Sequence, residues 1–145
     1  MSEFATEKLK RFNYLSGEIE AVYHEAALKF GLSDSAMLVL YAICNNGENC
    51  LLSDIIHLSG ASKQTINSAL RKLEAEGIVY LEAVNGKKKN VCLTKKGREL
   101  ADRTVIRLLD IENGIFDSWS LEEQEQYLTL THRYLTAFKE KLKEV

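Results

Sequence analysis

Five polar side chains at helical spacing are the first residues in this chain that point to a chemistry. Lys63, Gln64, Asn67, Ser68 and Arg71 fall on one face of the stretch 63–73, and Ile66, Ala69, Leu70 and Leu73 fall on the other. Lysine and arginine neutralise phosphates, while glutamine and asparagine each offer a paired donor and acceptor that matches an adenine edge. A second basic group, Lys87-Lys88-Lys89, lies between two β-prone runs at 79–83 and 91–93. Point charges on one element and base-reading amides on another are the parts of a surface for double-stranded DNA. Ser62, Thr65, Lys72 and Asn85 complete the candidate set of DNA contacts.

The elements that must hold these residues follow from local signals. Ser62 is the expected N-cap of their helix, and Gly77 stands where a left-handed stop is needed. After it the period falls to two, with Val79, Leu81 and Ala83 on one face and then Val91 and Leu93. Asn85-Gly86 between these runs predicts a hairpin closed by a type I′ turn. Upstream, Ser53-Asp54 is predicted to cap a short helix with Ile55, Ile56 and Leu58 inside, and Ser59-Gly60-Ala61 makes the turn to Ser62. Helix, tight glycine turn, helix and basic-tipped hairpin are the layout of a winged helix-turn-helix. Leu51-Leu52 is expected to add a short strand beside the wing.

Charge is distributed to match. The chain as a whole carries −2, yet residues 62–97 hold eight basic side chains against three acidic ones. A basic segment on an acidic body is the footprint that matters for a phosphate backbone.

Other functions find little support. At 145 residues, 46% hydrophobic and 28% charged, the chain is of ordinary globular composition. It has no apolar run of 18 residues or more, so no membrane partner is expected and the cytoplasm is the expected compartment. Cys44, Cys50 and Cys92 lack disulfide or zinc-finger spacing, and His24, His57 and His132 lie far apart. No nucleophile elbow, phosphate loop or dinucleotide fingerprint occurs, and no catalytic residue, metal or cofactor is expected.

The ends of the chain are long amphipathic helices. From about Phe4 to Lys29, Leu9, Phe12, Leu15, Ile19, Val22, Tyr23 and Ala26 recur at three and four. Ser33-Asp34-Ser35 opens a second helix, apolar nearly all round, which is the mark of a central buried helix. Thr94 is expected to cap a helix running from Lys95 to about Ile115, and Ser120-Leu121-Glu122-Glu123 fits a capping box for a last one. Leu121, Leu128, Leu135 and Leu142 repeat every seven residues, with Phe138 between them, and such a stripe needs a partner helix. Leu9, Phe12, Ile19 and these five are the candidate dimer contacts. The expected fold is mainly α with a small β-hairpin wing. Residues 1–30 form an N-terminal dimerisation helix, 33–97 a winged helix-turn-helix reading domain, and 98–145 the C-terminal dimerisation helices.

With these residues in view, the chain resembles the MarR family of bacterial transcription regulators. SKQTINSALRKLEAEG (62–77), NGKKKNVCLTKKG (85–97) and above all Leu93-Thr94-Lys95-Lys96-Gly97 carry the resemblance. It implies a winged-helix homodimer on a pseudo-palindromic operator, commonly a repressor, released by a small aromatic anion or an oxidant. It also implies an effector pocket between the dimer helices and the reading domain, for which Tyr14, His24 and Tyr41 are candidates.

The chain departs from the family pattern in the wing. Asn85 and Lys87 stand where many members have Asp and Arg, and Arg71 and Leu81 replace an Asp–Arg brace. Lysine lacks arginine's planar fork, so the wing is expected to act mainly as an electrostatic clamp. Peroxide-sensing members carry a cysteine in the first helix, and this chain has none there. That leaves Cys50, read as lying in a polar loop, as the one candidate reactive thiol, and His24-Glu25 as the nearest approach to a metal site. The alternatives to a DNA regulator are a winged-helix protein–protein adaptor and a redox or metal sensor acting through DNA binding.

Overall fold

The computed structural model describes residues 3–145. In chain order its elements are α1 (Glu7–Phe30), α2 (Asp34–Asn46), β1 (Asn49–Leu51), α3 (Leu52–Ser59), α4 (Lys63–Ala75), β2 (Val79–Asn85), β3 (Lys88–Leu93), α5 (Lys95–Asp102), α6 (Val105–Asp117) and α7 (Leu121–Leu142). Hydroxyl side chains open five of the helices. Thr6, Ser33, Ser62, Thr94 and Ser120 each accept a hydrogen bond from the amide three residues on, which satisfies a donor the helix leaves unpaired. Two compact units result, one reaching to Leu108 and the other Leu109–Val145, with the division inside α6.

In the first unit α2 is the central element. Met37, Val39, Leu40, Ala42 and Ile43 are buried along it, and Ile55, Ile66, Leu70, Leu73, Val79 and Val91 join the same core. The sheet is antiparallel in the order β1-β3-β2. Only the last turns of α1 join this core, through Ala27 and the partly buried Tyr23, Ala26 and Phe30. Further up α1, Leu9, Phe12, Leu15, Ile19 and Val22 are 40–59% exposed.

Four local features differ from the reading of the sequence. The extra strand lies at 49–51 rather than 51–52, and the chain passes from it straight into α3. Leu51 is therefore the N-cap, without a side-chain bond, and Ser53 and Asp54 sit within the first turn. The hairpin also turns differently. A bulge at Val84 shifts the pairing from Ala83↔Lys89 to Asn85↔Lys88, so the two-residue loop is Gly86-Lys87. Gly86 has φ +55° and no non-glycine residue among those described has positive φ, which fits a II′ turn with glycine first, not I′.

The third difference is a break in the helix expected over 95–115. Thr104, 3% exposed, donates its hydroxyl to the Leu100 carbonyl at 2.7 Å, while its amide bonds Ala101 in a tightened turn. Back-bonding by a buried threonine, followed by β-branched Val105 and Ile106, favours such a bend. It lets Ala101 and Val105 both reach the core. The fourth concerns Cys50. It lies in β1, 3% exposed, because Cys50 pairs with Val91 inside the sheet.

In the second unit the turn between α6 and α7 is held from both sides. Ser120 and Glu123 form a reciprocal capping box, and Gln124 donates to the carbonyls of Phe116 at 2.8 Å and Trp119 at 3.1 Å. The rings of Phe116, Trp119 and Tyr127 pack against one another with centroids 5.2–6.0 Å apart. Beyond that cluster α7 buries no residue. Leu121, Leu128, Leu135, Phe138 and Leu142 are 48–79% exposed. Among the described residues, no single helix is long and apolar enough to cross a membrane.

Candidate nucleic-acid interface

Burial of Ile66, Ala69, Leu70 and Leu73 turns the opposite side of α4 outward. Lys63, Gln64, Thr65, Asn67, Ser68, Arg71 and Lys72 are all exposed there. Ser62 is engaged as the cap, accepting from the Thr65 amide and donating to the Thr65 hydroxyl at 2.9 Å. The wing carries Asn85 and Lys87–Lys89, also exposed.

The two groups meet at a groove of about 620 Å³. Lys63 and Asn67 line it from α4, and Lys87, Lys88 and Lys89 from the wing. Its apolar lining is Leu51, Leu52, Ile56 and Leu81, and Ser53 and His57 complete it from α3. Not every candidate converges there. Arg71 lines a smaller recess with Glu74 and Leu81, and Ser68 and Lys72 line another beside Ser33 and Ser35 at the start of α2. His57 is the residue the sequence pattern did not single out. It lacks a motif, and only the approach of the wing to α3 brings it beside the lysines.

Residues 30–89 match the MarR family. Solved structures agree over most of the chain. A MarR family regulator from Neisseria meningitidis is 17% identical, with a TM-score of 0.76 over 94% of this chain and 96% of its own. MepR from S. aureus, solved as a DNA complex, is 22% identical, with a TM-score of 0.64 over 94% and 99%. NadR, in complex with 4-hydroxyphenylacetate, is 13% identical, with a TM-score of 0.69 over 92% and 95%. No curated protein matches the sequence. These likenesses, all below 25% identity, show a shared fold.

The Leu-Thr-x-x-Gly segment at 93–97 has a physical basis. The Thr94 hydroxyl donates to the Gly77 carbonyl at 2.6 Å and accepts from the Gly97 amide at 2.9 Å. Lys96 reaches the Glu76 carbonyl at 2.8 Å, and the Thr94 amide bonds the Ile78 carbonyl at 3.1 Å. A Cβ on Gly97 would lie 2.0 Å from that same carbonyl oxygen. The end of α4 and the base of the wing are thereby tied to the start of α5. Arg98 adds a brace, pairing with Glu48 ahead of β1 and with Asp102 at 2.9 Å.

The effector candidates do not all share one cavity. A recess of about 160 Å³ is lined by Tyr41 with Tyr23, Met37, Leu38, Leu58 and Ser59, and Tyr23 and Tyr41 meet edge to face at 6.4 Å. Tyr14 is 67% exposed and does not line it; His24 pairs instead with Asp34 at 2.9 Å. Among the described residues, no three His, Cys, Asp or Glu side chains converge as a metal site.

Burial works against the thiolate at Cys44 and Cys50. Burial pushes Cys44 up from 9.0 to about 11, with Arg98 opposing and Asp102 adding to the rise. Burial also raises Cys50, helped by Asp54. The thiolate is the species that attacks peroxide, so raising either group lowers its reactive fraction at neutral pH. Changing Cys44 and Cys50 to serine is expected to leave DNA affinity within about twofold of wild type, in peroxide and in reductant alike. Peroxide-driven release from DNA that disappears in the Cys50→Ser protein would contradict this.

Proposed function

We propose that the chain is a homodimeric, sequence-specific DNA-binding regulator of transcription, acting as a repressor that a small effector releases. One observation carries the reading most: Lys63 and Asn67 of α4 line the same groove as the three lysines of the wing. This supports a reading in which the Asn67 amide meets a base edge beside sequence-blind charges, as on duplex DNA. Residues 33–97 are the reading domain in this account. Residues 1–30 and 98–145 supply the dimer contacts, with Leu9, Phe12, Ile19, Leu121, Leu128, Leu135, Phe138 and Leu142 facing the second copy. A relative solved with 4-hydroxyphenylacetate supports small-molecule control, and Tyr41 marks the recess where an aromatic anion of that kind would enter. An adaptor would present an apolar or acidic face on α4, where this chain presents Lys63, Gln64, Asn67 and Arg71.

Salt titration separates the roles of helix and wing. Each lost phosphate contact flattens the slope of log K against log salt by about 0.9. Lys87, Lys88 and Lys89 changed together to alanine should weaken cognate and scrambled duplexes by similar factors and reduce that slope. Gln64→Ala or Asn67→Ala should each cost roughly 1–3 kcal/mol on the cognate duplex only, with the slope kept. If the wing variant loses discrimination while the two helix variants keep it, the roles are reversed.

A further inference from the structure

We infer that the groove between α4 and the wing seats one sugar–phosphate strand of the duplex, and that His57 donates to a phosphate there, so that protons and DNA bind together. The inference rests on the DNA-binding function proposed above. A helix in the major groove and a wing in the adjacent minor groove straddle the backbone strand that separates the two. In this chain the space between those elements is the cavity of about 620 Å³. Leu51, Leu52, Ile56 and Leu81 give it an apolar lining suited to deoxyribose C–H groups, while its polar groups are basic or neutral. Among the described residues, no carboxylate lines it.

His57 is exposed in the last turn of α3, the helix end that favours a cation, and it lines the cavity. The charged groups that share the cavity with it are Lys63 from α4 and Lys87, Lys88 and Lys89 from the wing. Asp54 lies one turn back on α3, outside the lining. A phosphate brought among these cations favours the imidazolium. By linkage, DNA binding then takes up a proton at each copy, and affinity falls as pH rises through the range where histidine loses its charge.

Phosphate contacts ignore sequence, so the test uses a fluorescent duplex of mixed sequence at low salt, read by anisotropy. The full-length protein is expected to bind it roughly tenfold more tightly at about pH 6 than at about pH 8. His57→Gln should bind like wild type at the higher pH and lose the gain at the lower one. His57→Lys should bind tightly at both, and His132→Gln should behave as wild type. A gain that survives in His57→Gln, or a wild type with equal affinity at both pH values, overturns the role of His57 and leaves the DNA reading standing. No binding at either pH overturns both.

Discussion

Aspartate at both Leu128 and Leu135 is expected to abolish the dimer, and with it high-affinity DNA binding. The two leucines lie one heptad apart on a helix that buries nothing within its own chain, and both are about half exposed. In a dimer built on α7 the substitutions would place four carboxylates in an apolar seam, each unpaired and each costing several kcal/mol. No dimer interface of ordinary size survives a loss of that scale. The double variant should sediment as a monomer at micromolar concentration, or fail to stay soluble. Because the proposed reading domain is untouched, any soluble monomer should keep weak, salt-sensitive binding to random duplex. A double variant that still sediments as a dimer would place the interface elsewhere.

The second large effect is at Gly97. Alanine there meets the Ile78 carbonyl oxygen at 2.0 Å, so either the wing base or the start of α5 must move. Moving it also strains the Thr94 amide bond to the same oxygen. Overpacking together with a weakened buried hydrogen bond should cost roughly 2–4 kcal/mol, read as a lower urea midpoint with little change in m. Gly114→Ala supplies the contrast. Nothing lies within 4 Å of its added Cβ in α6, and helix propensity favours alanine by about 1 kcal/mol. Opposite signs for the two glycine variants are expected; a Gly97→Ala protein as stable as wild type would mean that the clash at Ile78 is relieved without cost.

Much of the fold was legible because short-range chemistry decides it. Ser33, Ser62, Thr94 and Ser120 cap the helices they were expected to cap, and Gly31, Gly60 and Gly77 take up the positive φ at the turns where they stand. The continuous apolar character of α2 marked the core in the same way. What escaped depends on partners distant in sequence. The bulge at Val84 comes from how β2 meets β3, and it moved Gly86 from the second turn position to the first. The break at Thr104 reflects the need to bring Ala101 and Val105 to one core, which no local pattern announces. Cys50 has polar neighbours in sequence but an apolar environment, because β1 lies along β3 beneath α3 residues such as Ile55. His57 carries no local signal, because it is the fold that brings Leu51, Leu52, Ser53, Ile56 and His57 to one groove with the distant Lys87, Lys88 and Lys89.

Selection from a pool of random duplexes, with the bound fraction sequenced, tests the central claim most directly, since it reads sequence preference and symmetry in one experiment. A dimer with two α4 helices presented to the same DNA should enrich an inverted repeat whose half-sites are centred about 10 base pairs apart, or a multiple of that. No enriched sequence, or a single unrepeated half-site, would contradict a homodimeric sequence-specific regulator.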